Sequence, residues 1–302
     1  MSINEFFASF FNLLREIYLN SKIYDKKISS KDNKSLINKT SLSILSCIIK
    51  YDKKKNKIED FETEKIWDFE KVKEQDYKKL NNFFWLFSID LKSSKNISIS
   101  IIENWIKKNQ RFNKKLWDID ILSKRIISWL SNSKLIYDEG NIEYKKKFNR
   151  LIFKQINHLI NEINRSKDYN NKLVGCTAVI LAGLAYDHEN FLNYGLDLLQ
   201  KIINSSFDSE YFPKSRSIRQ LVFYIKYFVL IRELIKDSSN EVPEYLDEII
   251  FHLGKGYHFV WGSHKTSLLF NGNNESNLEE FDKYLTQQKY SFKNTKIELG
   301  GY

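Results

Sequence analysis

Two prolines and ten glycines in 302 residues are too few for collagen-like or low-complexity structure. They also leave little material for a β-sandwich or an α/β enzyme built on glycine-rich turns. Cysteine is equally scarce: Cys47 and Cys176 form no Cys-x-x-Cys pair and no zinc-ligand spacing, which rules out a disulfide framework or a cysteine-based metal knuckle. Long apolar runs are missing too. The stretch Phe6 to Leu14 is apolar but interrupted, with Glu5 before it and Arg15-Glu16 after it, so it lacks the profile of a signal peptide or a membrane span. The expectation is a cytoplasmic protein with no membrane partner and no cofactor.

What remains is helical. The chain is 42% hydrophobic and 15% aromatic, enough for one large core or two ordinary ones. In Asp118 to Leu130 the apolar residues Leu122, Ile126, Trp129 and Leu130 fall at i, i+4, i+7 and i+8, one face of a helix, with Asp118 and Asp120 where the N-terminal dipole favours negative charge. The same spacing recurs in Val174, Ala178, Leu181, Ala182 and Ala185, and again from Leu192 to Ile203. The short connection Tyr186 to Glu189 favours an antiparallel pair. Further helices are expected over Ile3–Asn20, Glu74–Leu91, Ile97–Asn109, Glu143–Ile163, Ser217–Lys236 and Pro243–Leu253, about ten in all. Ser41–Tyr51 reads as a short strand. Breaks fall at Asp52–Asp60, Asp138–Asn141, Ser205–Lys214 and Trp261–Asn277, and the last two are long enough to carry binding groups. The expected fold is all-α, in antiparallel helix pairs. Its expected divisions are an N-terminal segment 1–70, a helical body 71–290 and a tail 291–302.

Several segments, in order, resemble the N-terminal domain of the heparinase II/III-like polysaccharide lyases. They are Asn82-Phe83-Phe84-Trp85-Leu86 with Asp90-Leu91, Asn104-Trp105-Ile106 with Trp117, and Arg125-Ile126-Ile127-Ser128-Trp129-Leu130. Further along come Ala182-Gly183-Leu184 within Ala178 to Tyr186, Phe207-Asp208 through Ile235, Pro243-Glu244-Tyr245-Leu246 and Leu268-Leu269-Phe270-Asn271-Gly272. The resemblance implies an incomplete (α/α) toroid, normally followed by a β-sandwich domain, here expected to be encoded downstream. It also implies β-elimination on uronate-containing polysaccharides: a Tyr or His removes the C5 proton while an Asn or His neutralises the uronate carboxylate, whose charge otherwise opposes a neighbouring carbanion.

The departures from that pattern are specific. The family's Asn-His pair ahead of the Ala-Gly-Leu helix reads Asn170-Asn171-Lys172, so Asn171 keeps the carboxylate-neutralising position while Lys172 stands for His. The Asp-Gly-Gly-His loop reads Asp208-Ser209-Glu210-Tyr211, followed by Lys214, and the Tyr-His pair of the next helix reads Ile218-Arg219. Tyr211 does not sit at the position of the family's base.

The candidate site is therefore Asn171 for carboxylate neutralisation, with Lys172, Tyr211, Lys214, Arg216, Arg219, Trp261 and His264 for substrate binding. Each has a structural alternative. Asn near a helix start is commonly a cap, lysines and arginines on helix faces are commonly solvated, and Tyr211 and Trp261 can equally pack over helix ends. Trp85, Trp105 and Trp129 sit on apolar stripes as core, and His158 lies among Ile156, Leu159 and Ile160 as a structural residue. His258 and His264 flank Trp261.

The net charge of +10 suits a polyanion. The excess is mostly Lys in a chain rich in Asn and Ile, the signature of AT-rich coding. Two functions follow: a glycan-binding module for an acidic polysaccharide with a degenerate active site, or a basic helical scaffold for protein or RNA. Basic residues interleaved with acids and no RNA-binding motif place nucleic acid second.

Overall fold

The computed structural model describes residues 3–29, 34–40, 43–49, 67, 73–89, 94–261 and 278–292. Among these the chain is all-α: thirteen α-helices and no strand, with isolated bridge positions that include the pair Phe207 and Pro213. It divides into two compact units, residues 1–37 with 53–165 and residues 38–52 with 166–302.

The first unit carries α1 (Ile3–Leu19), α2 (Lys22–Ile28), α4 (Glu74–Asn81), α5 (Lys95–Lys108), α6 (Ile119–Ser131), α7 (Ser133–Ile136) and α8 (Ile142–Glu162). The apolar stripes of α5, α6 and α8 meet in a core holding the fully buried Trp105, Trp129 and Phe148. An Arg125 side chain with 0% exposure lies in the same core. No carboxylate accompanies it. Its Nε donates to Gln155 Oε1 at 3.3 Å, Nη1 to the Asn81 carbonyl at 3.2 Å and Nη2 to the Leu116 carbonyl at 3.0 Å, and the guanidinium lies 4.5 Å from the Trp105 ring centroid. Burial pushes its pKa down to about 9, so it stays charged at neutral pH. A desolvated cation is tolerated here because its planar fork meets three acceptors and a π-face.

A helix expected over Glu74–Leu91 ends instead at Asn81 and is followed by a 3-10 turn, Phe84–Ser88. Phe83 adopts a left-handed backbone (φ 60°), costly for a bulky residue, and its fully buried ring packs edge-on to Trp105 and Trp129. The Asn82 side chain accepts from the Phe84 N–H, and the Phe83 carbonyl accepts from Ser128. Aromatic burial overrides the helical period there.

Polar residues one turn apart on α8 dock α2. Lys154 pairs with Asp25 and Asn157 donates to the Ile28 carbonyl. His158 Nδ1 lies 2.7 Å from the Tyr24 hydroxyl, enclosed by the rings of Phe112 and Trp117. Burial lowers the His158 pKa to about 4, against a smaller opposite effect from a backbone hydrogen bond with Trp117.

The second unit is built round α9 (Tyr169–Ala185), buried on every side from Leu173 to Ala185. It pairs with α10 (Glu189–Ser206), and α11 (Ile218–Asp237), α12 (Glu244–Trp261) and α13 (Glu279–Gln287) complete the unit. The α9–α10 pair is antiparallel, as the short connection implies. A Cβ at Gly183 would stand 2.6 Å from the Leu192 nitrogen and one at Gly195 2.5 Å from Ile180 Cγ1, so both glycines permit backbone approach.

The strand expected over 41–51 is not formed: Leu45–Ile48 make one helical turn, α3. Its Cys47 carbonyl accepts from Lys226 on α11. An isolated strand would leave its backbone groups unpaired, and a helical turn satisfies them locally. The break at Asp52–Asp60 lies outside the described residues.

Three outcomes follow. Arg125→Ala leaves a cavity and three orphaned acceptors, and should lower the unfolding free energy in urea by about 3–5 kcal/mol. His158 is neutral when folded but titrates near 6.5 when unfolded, so the stability it contributes is intact above pH 6.5 and is lost as pH falls toward 4. That loss is on the order of 3 kcal/mol, and His158→Gln should remove this part of the pH dependence in the same titration. Gly183→Val should lower the melting temperature by forcing α9 and α10 apart, whereas Gly140→Ala meets mainly one side chain, Tyr144, and should cost less.

Candidate functional site

The expected site residues that are described belong to the second unit: Asn171 and Lys172 sit at the start of α9, Arg219 at the start of α11, Tyr211, Lys214 and Arg216 in the loop between α10 and α11, and Trp261 at the end of α12. Asp168, not Asn171, caps α9: its carboxylate accepts from the Asn170 and Asn171 N–H groups. Asn171 is therefore the third helical residue, half-buried, with its side chain left free of the capping role expected for it. Lys172 places its ammonium 5.3 Å from the ring centroid of Tyr169, and that ring is 41% exposed. The neighbouring Asn170 Oδ1 accepts from Gln220 on α11 at 3.2 Å, which ties the two helix starts together.

The connecting loop 207–217 is organised by Asp208. One carboxylate oxygen accepts from the Glu210 and Phe212 N–H groups, and the other pairs with Arg216 at 2.6 Å. The Asp208 N–H and the Phe212 carbonyl close the turn, and the Lys214 N–H donates to the Ser206 carbonyl. Tyr211 and Arg216 both take left-handed backbone angles, φ 59° and 55°. Lys214 Nζ donates to the Ser205 carbonyl. Arg216 is thus engaged within the loop, while Arg219, one residue into α11, is exposed and forms no ion pair among the described residues.

Tyr211 turns toward α12. Its hydroxyl donates to Glu248 at 2.9 Å, and its ring stacks on His252 at 4.3 Å between centroids. The hydrogen bond to Glu248, a carboxylate, raises the phenol pKa above its ordinary value, so Tyr211 remains protonated at neutral pH. A protonated phenol cannot serve as a base.

Trp261 was expected in an irregular loop, but it ends α12, which runs eight residues past Leu253 because Tyr257, Val260 and Trp261 keep the apolar period. Trp261 is 4% exposed, and its buried ring offers no face to a ligand. His258 lies on the same helix, exposed, and His264 falls outside the described residues. His158 belongs to the core of the first unit, and His188 caps α10 by accepting from the Phe191 N–H. Among the described residues no group of His, Cys, Asp or Glu could hold a metal ion, and no helix is long and apolar enough to cross a membrane.

Sequence patterning passed over Tyr169. The available signal was an aromatic at the first helical position, immediately after a capping Asp, where its ring has no apolar stripe to join.

Compared with protein-family models, with curated proteins and with solved structures, the chain matches none.

The loop should depend on Asp208. Asp208→Ala removes two backbone acceptor contacts and the Arg216 pair, and amide hydrogen exchange over residues 208–217 should accelerate about tenfold or more, with the α9 amides unchanged.

Proposed function

We propose that the chain binds an acidic saccharide where α9 and α11 begin, without cleaving it. The observation that carries this is the exposed Tyr169 ring beside the Lys172 ammonium, with Asn170 tied to Gln220 and the exposed Arg219 next to it on α11. An aromatic face supplies stacking area for a sugar ring, and a guanidinium with no internal carboxylate can hold a uronate in a bidentate way. Asn171, one residue from Lys172, adds an amide donor. The resemblance to the toroid half of heparinase II/III-like lyases supports the same ligand class. The absence of turnover rests on Ile218 where the family carries tyrosine, and on Lys172 and Arg219 where it carries histidine.

Isothermal titration of the purified chain with uronic-acid oligosaccharides at low salt tests the proposal. Saturable binding is expected, weakened about tenfold by Arg219→Ala and by Tyr169→Ala. Ultraviolet absorbance of an unsaturated product should stay flat. No binding of any uronate oligomer would overturn the ligand class, and rising absorbance would overturn the non-catalytic part.

A further inference from the structure

The arm formed by α1 and α2 is held to the first unit by few buried side chains and several polar contacts. Among the described side chains of α1 only Leu19 is buried, and α2 buries Tyr24 and Ile28. By contrast, α6 is buried at every residue from Arg125 to Ser131 and α8 at every residue from Leu151 to Ile156. Arg15 pairs with Glu162, Lys114 with Glu16 at 2.7 Å and Lys154 with Asp25 at 2.5 Å, and Asn157 donates to the Ile28 carbonyl. A hollow of about 300 Å³ lined by Leu19, Lys22, Asp25, Arg111 and Phe112 lies where α1 turns into α2, so that edge of the arm is not close-packed. An element with so little buried apolar surface opens before the core beside it.

The contacts that hold the arm respond to acid in one direction. Protonation of Glu16, Asp25 or Glu162 ends an ion pair. His158 adds a charge instead of losing one. Its Nδ1 meets the Tyr24 hydroxyl at 2.7 Å among the rings of Phe112 and Trp117. Arg15 from α1 and Arg125 from α6 both oppose a further positive charge there, and Lys154 lies one turn back on α8. The carboxylates Asp25 and Glu162, the latter one turn on from His158, are already engaged by Lys154 and Arg15. Tyr18 packs edge-on to Tyr24 at 5.2 Å, and burial pushes the Tyr24 phenol up to about 12, so it supplies no negative charge. A protonated imidazole therefore has no counter-ion in the docked arrangement and reaches water when α2 moves away.

We infer that α1 and α2 form an acid-released arm: with His158 as its sensor, the arm leaves α8 ahead of the rest of the unit as pH falls, uncovering the pocket made by Phe112, Trp117 and His158. The sign follows from the two states of the imidazole. Docked, His158 gains a proton only near pH 4; released, it gains one near 6.5. Each opening therefore takes up one proton between those values, and the population of the released arm rises about tenfold for each pH unit from about 6.5 toward 4. Loss of the three ion pairs adds to the release at the acid end of that range. The saccharide proposal concerns the other unit, and the two stand or fall separately.

Amide hydrogen exchange of the full chain from about pH 7.5 to about pH 4.5, corrected for the intrinsic pH dependence of exchange, tests this. Amides of α2 should lose protection about tenfold per pH unit below about 6.5, while those from Arg125 to Ser131 stay at least about a hundredfold better protected at every pH. His158→Gln keeps an uncharged polar partner for Tyr24. It should flatten the α2 profile between about pH 6.5 and 5, where the carboxylates still keep their charge, to less than about twofold per unit. If that variant does not fold, the wild-type slope and the order of opening decide the matter. A flat wild-type profile, opening of α2 and α6 together, or a slope that survives in His158→Gln each overturns the proposal.

Discussion

A guanidinium without a carboxylate organises the first unit. Arg125 cannot be solvated where it lies, so its donors must find acceptors in the protein, and they find them at places where regular structure ends. The Asn81 carbonyl is the last of α4, the Leu116 carbonyl belongs to the link into α6, and Gln155 reaches in from α8. Three chain segments are therefore fixed relative to α6 by one side chain. The constraint propagates: Asn81 in turn accepts from the Trp105 indole at 2.9 Å, and Leu116 leads into Trp117, whose ring closes the pocket around His158. The docking of α2 is thus two contacts removed from Arg125. A neutral residue of the same volume would relieve the desolvation but not supply the directionality.

The helices that could be read from the sequence are those whose apolar spacing reports a real core face. Helices α6 and α9 bury every residue their periodicity selected, and α10 buries Gly195, Leu199, Ile202 and Ile203 while Leu192 and Leu196 stay half-buried, because burial and period are the same fact seen twice. Short helices escaped. In α2 only Tyr24 and Ile28 are buried among lysines and an aspartate, and what fixes them is polar contact with α8, invisible to apolar spacing. The turn at Phe83 escaped because its cause is tertiary, a ring driven among tryptophans far along the chain. At the candidate site, residue types were legible and partners were not. Nothing in Asp208-Ser209-Glu210-Tyr211 announces that the carboxylate closes its own loop or that Tyr211 bonds Glu248, thirty-seven residues on.

The same limit applies to charge. A net of +10 counts cations without distinguishing those already engaged. Arg216 answers Asp208, Lys214 and Lys226 hold backbone carbonyls, and Lys154 joins Asp25. Arg219 and Arg111 make no such contacts among the described residues. The exposed Arg219, which forms no ion pair among the described residues, therefore says more about a ligand than the total does.

The close seat of α10 on α9 bears on how the second unit comes into being. The two helices are consecutive, joined by three residues whose turn is closed by the His188 N–H on the Gly183 carbonyl. Closing so small a loop costs little chain entropy, and the glycines at 183 and 195 let backbone meet backbone as soon as the turn forms. Contacts so local in sequence belong to the fast end of the folding spectrum. The α9–α10 hairpin is accordingly the natural nucleus of its unit, a template already half-dry onto which α11 and α12 condense, and the last amides of that unit to open should be those of Leu173 to Ala185.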